Sequence, residues 1–199
     1  MRITDYGFIS PDEGLALENR LLSEKRDTLS IYSRDRPTVS LGRFNRVDDY
    51  VDTDFADSNG ITVIRRISGG SAIYSDRDQL VFTVVTDRSS FRDKMDSYER
   101  ICGCLVRTLG ALGIEAEYKP KNDVLVGGKK ISGCAQYRNR EILLHHGTLI
   151  LRLNPEMMDG VLRPVKERKY PGLTSVECSL GHVPDRKSIL KAFEEGFRE

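Results

Sequence analysis

The sequence predicts an α+β fold built on mixed, largely antiparallel sheets with flanking helices. Three observations carry it. Short runs rich in β-branched residues, such as Thr38–Leu41, Ile61–Ile64 and Leu80–Val85, are bounded by turn formers. These runs follow one another more often than they alternate with helices, which speaks against a parallel doubly wound sheet. Helical three-and-four spacing is clear at Phe91–Leu112 and recurs in the last segment, after Asp185. No repeat, low-complexity stretch or linker divides the chain, so residues 1–199 are expected to form a single domain.

Arg2–Ile9 alternates loosely and reads as a first strand. Pro11-Asp12-Glu13 opens a helix to about Lys25, with acids in its first turn and Leu15, Leu17, Leu21 and Leu22 near one face. Thr28–Tyr32 and Thr38–Leu41 are short strands separated by the polar turn Ser33–Pro37. Gly42-Arg43 at the end of the second fits a pocket wall and a plain turn equally well. Asp48–Ser58 is expected to be a short helix closed by Asn59-Gly60. Ile61–Ile64 and Leu80–Val85 read as the two strands of a central hairpin.

In the helix Phe91–Leu112, residues Met95, Tyr98, Cys102, Leu105, Leu109 and Leu112 form the apolar stripe, and Gly113 ends it. Cys102 and Cys104 point in different directions, so Cys102 reads as a core residue and not as half of a metal pair. Glu115–Tyr118, Asp123–Val126, Lys130–Gln136 and Glu141–Leu153 read as four strands. Pro155–Val161 is expected to be a short helix. Arg163–Thr174 carries Pro164, Pro171 and Gly172 and reads as a loop that orders on a ligand. Asp185 caps a final helix buried through Ile189, Leu190, Phe193 and Phe197.

Composition bounds the function. The chain is 39% hydrophobic and 31% charged, as in ordinary globular proteins and unlike disordered ones. There is no apolar run of spanning length and no signal peptide, and the four cysteines lack metal-type spacing. A cytoplasmic protein with reduced thiols and no membrane role is expected. A net charge of +1 gives no field for nucleic acid. Residues 119–170 do hold eleven Lys/Arg against five Asp/Glu, which fits a solvated face, a nucleotide site or an acidic partner.

The chemistry concentrates in Arg65-Arg66-Ile67-Ser68-Gly69-Gly70-Ser71-Ala72-Ile73-Tyr74-Ser75-Asp76. Adjacent glycines let backbone amides approach a ligand, successive N–H groups suit anions, and arginines add bidentate bonds to phosphate or carboxylate. Three further stretches join it: Lys121-Asn122-Asp123, Gly127 to Gln136, and His145-His146-Gly147-Thr148-Leu149-Ile150. Under strict period-2 alternation, Lys130, Ser132 and Cys134 share one face of their strand. Lysine and histidine within apolar strands are costly unless they meet an anion or partner, so together these stretches describe a pocket for an activated acyl phosphate.

In order and separation these motifs resemble the lipoate–protein ligase A family, within the biotin/lipoate protein ligase superfamily. Gly14-Leu15-Ala16-Leu17-Glu18, Leu41-Gly42-Arg43 and Gly172-Leu173-Thr174-Ser175-Val176 fit too, so that the resemblance runs from about residue 2 to 197. It implies the class II synthetase-like catalytic domain shared with biotin–protein ligases and octanoyltransferases. The implied reaction makes lipoyl-AMP from lipoate and MgATP and transfers the lipoyl group to a lysine of an apo lipoyl carrier domain. The carriers would be of the 2-oxoacid dehydrogenase E2 or glycine cleavage H protein type.

Carried over, the resemblance makes Lys130 the essential catalytic lysine, bonding phosphate and acyl oxygens. It places Ser68, Gly69, Gly70, Ser71, Ala72 and Tyr74 around the adenylate and acyl chain, with Arg65 or Arg66 facing the phosphates. It puts Asn122 and Asp123 near adenine, phosphate and Mg²⁺, with Asp123 as metal ligand. Lys130, Ser132, Gly133 and Ala135 belong to the lysine motif, and His146, Gly147 and Thr148 to the acyl pocket. Gly172–Val176 would close over the adenylate.

Ser71 stands where the family usually has Gly, and Ser75 where it has His. A small C-terminal accessory domain found in many of these ligases is expected to be absent, to be supplied by a separate subunit. An ATP-independent transferase is the alternative, with Cys134 as thioester nucleophile activated by Lys130. A non-catalytic subunit on the same fold is a third reading.

Overall fold

The computed structural model describes residues 1–163 and 172–198. The elements are β1 (Arg2–Ile9), α1 (Pro11–Glu24), β2 (Thr28–Arg34), β3 (Thr38–Leu41), α2 (Thr53–Ser58), β4 (Thr62–Arg65), β5 (Ile73–Ser75) and β6 (Gln79–Asp87). After a 3-10 turn come α3 (Lys94–Ala111), β7 (Glu117–Lys119), β8 (Asp123–Val126), β9 (Lys129–Arg138), β10 (Ile142–Ile150), α4 (Pro155–Val161), α5 (Val176–Leu180) and α6 (Arg186–Gly196). Most of the loop expected at Arg163–Thr174 lies outside the described residues; the short helix α5 that follows it was not expected.

Two sheets form. The larger has the order β1-β2-β6-β10-β9-β8-β7, and the smaller β4-β3-β5. Among the described residues, β1–β2 and β3–β4 pair in parallel and the other named pairs are antiparallel. This is the mixed α+β fold expected.

The central hairpin is not present. β4 lies beside β3 in the small sheet, whereas β6 sits between β2 and β10 in the large one. The intervening segment carries its own strand, β5, back onto β3. Apolar runs identify strands but not their partners, and here the glycine turn leads from one sheet to the other.

Each face of the large sheet has its own core. On one face α3 and α6 cover Leu29, Ile31, Phe82 and Leu143, with Cys102, Leu105, Leu109 and Phe193 of the helices fully enclosed. Met95, expected in the α3 stripe, is exposed at the first turn of the helix. On the other face Leu17 and Leu21 of α1 pack against Tyr32, Val81, Val85 and Leu144. The small sheet, with α2 and α4, encloses Val39, Leu41, Val51 and Tyr74.

Helix α1 begins at a full capping box: Glu13 N donates to Ser10 Oγ at 3.2 Å, and Ser10 N donates to Glu13 Oε2 at 2.8 Å. Pro11 occupies its first turn at no hydrogen-bonding cost. The cap fixes which side of α1 meets the sheet, and that side carries Gly14, Leu17, Glu18 and Leu21.

Candidate active site

The strand register decides which side chains meet. Tyr32 lies opposite Val81, and His146 opposite both Thr83 and Ala135, all on the α1 face of the large sheet. Between this face, α1 and the small sheet lies a cavity with about 720 Å³ free of protein atoms, part of it open to solvent. Leu15, Tyr32, Ile73 and Val81 give it an apolar wall, and Asn122, Lys130, Gly70 and Ser71 a polar one. Arg34, Arg66 and Lys130 bring positive charge, against Glu18 in the wall and Asp123 beside it. An acyl chain ending in an anionic head matches this division.

The glycine turn is held from behind. Arg66, 6% exposed, donates from Nη1 to Ser40 O at 2.5 Å and from Nη2 to Gly69 O and Ser71 O, each at 2.7 Å. Burial pulls its guanidinium down to about 10, against the opposing charge of Glu18, so it remains a cation at neutral pH. Arg65 Nη1 donates to Gly42 O, Arg43 O and Asn45 O. The side chain of Asn45 in turn donates to Gly70 O at 2.7 Å. Arg66 therefore braces the turn directly, whereas Arg65 holds the Gly42–Asn45 loop behind it and is not part of the cavity wall. Gly42 is required here, since a Cβ would lie 1.9 Å from Gly70 O. Gly70 has φ +94°, which favours glycine.

A buried polar chain crosses from α1 to the turn. Glu18 Oε1 is 2.7 Å from His146 Nδ1, His146 Nε2 is 2.6 Å from Ser68 Oγ, and Arg66 Nε donates to Ser68 Oγ at 3.1 Å. Thr83 also donates to Glu18. Burial raises the pKa of Glu18, but the charge and hydrogen bond of His146, with help from Arg34 and Thr83, lower it by more. Helix, central strand and glycine turn are thus tied by one set of hydrogen bonds.

Lys130 does not share a face with Ser132 and Cys134. The β8–β9 register shifts so that Val124 faces Ser132 and Leu125 faces Lys130, leaving Ile131 as an extra residue. This bulge turns Lys130 onto the cavity face, where its Nζ lies 2.5 Å from the place a Gly133 Cβ would occupy. There it pairs with Asp123 Oδ1 at 2.6 Å.

Cys134 contributes to the cavity wall, but its Sγ is 3.8 Å from Cys102 Sγ on α3. The S–H of Cys102 and the nearby His145 hold its thiol well below the usual range despite burial. Lys130 has no part in this. Cys134 thus touches the cavity as expected, but the expected activation by Lys130 is corrected, because the bulge breaks the alternation that put the two on one face.

Of the residues expected at the site, Arg66, Gly70, Ser71, Asn122, Lys130, Gly133, Ala135, His146, Gly147 and Thr148 come together around the cavity. Asp123 stands just behind, paired with Lys130. Ser68, Gly69 and Ala72 shape the turn outside the wall. Ser132 is fully buried, and Tyr74 packs in the small sheet's core with its hydroxyl donating to Asp76. Sequence reasoning did not find the cavity roles of Glu18, Tyr32, Arg34, Ser40, Ile73 and Val81, whereas Ser75 lines the cavity as its place in the motif implied. Glu18 did carry a signal: an acid on the buried side of an amphipathic helix, four residues after Gly14. Arg34 lies over the ring of Tyr32 at 5.1 Å and fills the space that Gly14 leaves open.

A family model for the lipoyl protein ligase A/B catalytic domain matches residues 10–186. The octanoyltransferase LipM of Oceanobacillus iheyensis is 31% identical over 220 residues, 93% of this chain and 79% of its own length. The lipoate-protein ligase LplJ of Bacillus subtilis is 28% identical over 187 residues, 92% of this chain, of which it leaves this chain spanning 56% of the ligase's length. In structure, the bi-partite lipoate protein ligase of Thermoplasma acidophilum, described with its E2 lipoyl domain, superposes with a TM-score of 0.85 at 24% identity, covering 98% of this chain and 81% of that one. The chain belongs to the lipoyl protein ligase A/B catalytic-domain family and is an enzyme of that lipoate ligase and octanoyltransferase family.

Proposed function

We propose that this chain is the catalytic domain of an ATP-dependent lipoate–protein ligase, which activates lipoate or octanoate as the acyl-adenylate and passes the acyl group to a lysine of a lipoyl carrier domain. One observation carries the preference for a ligase: Lys130 is paired with a carboxylate, Asp123, at 2.6 Å, and the thiol of Cys134 meets that of Cys102 at 3.8 Å. Cys102 and Cys134 face each other between α3 and β9, Cys104 lies on α3, and Cys178 lies on α5. A thioester mechanism needs a thiol at the reacting carbon; an adenylate mechanism needs a cation near phosphate and acyl oxygens.

The residues present fit an acyl-adenylate. Leu15, Tyr32, Ile73 and Val81 would hold the acyl chain, the backbone at Gly70 and Ser71 would approach the phosphate, and Lys130 would stabilise charge in both half-reactions. Bound ATP would supply the activating phosphate. The Mg²⁺ expected at Asp123 fits less well. The Oδ1 of this carboxylate is already 2.6 Å from Lys130 Nζ, so a cation there competes with the lysine. The nucleotide's phosphates, rather than a protein cage, would hold magnesium.

The carrier is proposed to be a lipoyl domain, as described for the T. acidophilum ligase, and a separate accessory subunit is proposed to assist activation. The similarity to LipM favours an ATP-independent octanoyltransferase as the alternative.

Incubation with lipoate or octanoate, MgATP and an apo lipoyl domain, read by mass spectrometry, separates these. Carrier modification that needs ATP, with acyl-AMP detected, supports the ligase. Transfer from supplied lipoyl-AMP, but no adenylate from ATP, identifies a catalytic domain that needs an activating partner. An acyl adduct on a cysteine, formed from acylated carrier without ATP, overturns the ligase in favour of the transferase.

A further inference from the structure

On the face of the large sheet away from the cavity, three side chains from three elements converge. Cys102 of α3, Cys134 of β9 and His145 of β10 are 0%, 5% and 0% exposed. One ligand atom from each lies within 4.8 Å of the others. His145 stacks on Phe82 at 6.2 Å between ring centroids and meets the edge of Tyr98 at 5.4 Å. Its Nδ1 is 2.9 Å from Gln136 Nε2, whereas its fully enclosed Nε2 makes no ordinary hydrogen bond, although the ring interacts with the Cys134 thiol. A buried polar nitrogen left so is costly unless something meets it.

We propose that Cys102, Cys134 and His145 form a structural metal site for a thiophilic d¹⁰ cation, zinc(II) or copper(I). The spacing fits. Two thiolates, each about 2.3 Å from a tetrahedral ion, stand about 3.8 Å apart, and the two sulfurs here are 3.8 Å apart. The donor set is also soft, which selects zinc or copper(I) over magnesium or calcium. Charge points the same way. Two buried thiolates and a neutral imidazole are costly alone, but sum to zero with a divalent ion and to a single negative charge with a monovalent one.

Gln136 supplies the outer contact that orients a ligating histidine. As placed, its Oε1 accepts from Ser97 Oγ at 3.1 Å and Arg138 Nη1 at 3.4 Å, so metal binding requires the amide to turn and give these up. Oε1 then accepts from Nδ1–H of His145, and Nε2 of the ring carries the lone pair that a metal needs. Copper(I) is satisfied by three donors. Zinc takes a fourth, for which Ser132 Oγ, 4.0 Å from Cys134 Sγ, is the nearest hydroxyl on the same strand. The ion would cross-link α3 to β9 and β10 behind the cavity, whatever acyl chemistry the cavity performs.

The test uses the whole chain, reduced and freed of metal under anaerobic conditions, then titrated in parallel with Zn²⁺, Co²⁺ and Cu⁺. We expect one equivalent bound per chain, a thiolate-to-cobalt charge-transfer band, and a higher melting temperature with metal. The coordination number and ligand set of each loaded form, three donors for copper(I) and four for zinc, identify which ion the site fits. Cys102→Ser and His145→Gln should each weaken binding by at least about 100-fold, more than loss of an outer-shell partner does. A Cys104→Ser/Cys178→Ser double variant should bind as the parent does. If the ligand variants fail to fold, X-ray absorption on the zinc- or copper-loaded parent decides, two sulfur and one nitrogen ligands being expected. The proposal is overturned by no uptake, by uptake that vanishes in the Cys104/Cys178 variant, by a different ligand set, or by a Cys102–Cys134 disulfide in protein alkylated at lysis.

Discussion

Lys130 is placed by its neighbours more than by its own strand. The bulge at Ile131 turns it toward the cavity, Gly133 leaves room for its ammonium, and Asp123 fixes it at 2.6 Å. Lys130→Ala should cost at least about 10²–10³-fold in acyl transfer, the usual loss on removing a group that stabilises developing charge. The variant should retain the circular dichroism of the parent, because this side chain is 29% exposed and no apolar packing depends on it. Transfer at the parental rate would remove Lys130 from the chemistry. Gly133→Ala tests its placement alone. The new methyl meets the far end of the flexible Lys130 side chain, with Asp123 Oδ1 at an ordinary 3.4 Å, so stability should change by no more than about 0.5 kcal/mol. A displacement of about 1 Å at the ammonium should still slow transfer by roughly 10²-fold. Thermal melting and initial rates on the same samples check both halves. Equal losses in stability and rate would mean that the glycine serves packing instead.

At the scale of elements, α3 and α6 cross at a glycine. A Cβ at Gly196 would lie 2.2 Å from Thr108 Oγ1, 2.6 Å from Thr108 N and 2.7 Å from Cys104 O. Two of these atoms are backbone within a helix and cannot give way. Gly196→Ala should therefore destabilise by about 1–3 kcal/mol despite the better helix propensity of alanine. A urea unfolding midpoint at or above the parent's would show that the helices separate freely. The crossing was legible only in part. The apolar stripe through Cys102, Leu105 and Leu109 announced α3, and Asp185 with Phe193 announced α6, since both signals are local. That Gly196 is the contact between them depends on how the helices lie, which no local pattern records. The bulge in β9 was hidden for the same reason: an alternation of Lys130, Ser132 and Cys134 reads identically with or without an extra residue, until β8 supplies the register.

Across the whole molecule, most strands and helices were legible, because each is written in a pattern local to its own residues. Sheet membership was not. Ile61–Ile64 and Leu80–Val85 flank one glycine turn yet belong to different sheets, and the cavity exists because they do. Long-range polar pairs then hold the assembly together. Glu18 on α1 meets His146 on β10, and Asp5 on β1 meets Arg186 on α6. Both carboxyls are held below their ordinary values. For each, burial raises the pKa but is outweighed, by His146 for Glu18 and by the hydrogen bonds of Arg186 and Gly7 for Asp5. A carboxyl depressed in the folded state adds stability above its unfolded pKa of about 4, and that stability is lost as the pH falls through the lower folded value. The urea midpoint should thus be level from neutral pH down to about pH 5 and fall below about pH 4. Glu18→Gln should unfold more easily than the parent at neutral pH, because His146 loses its anionic partner. The gap between the two proteins should narrow as the acid limb is entered, since the parent's own Glu18 becomes neutral there. Unfolding curves of both proteins at matched pH values measure that gap. A gap that stays constant through the acid limb would mean that the ionised Glu18 contributes nothing, and that its hydrogen bonds alone join α1 to the sheet.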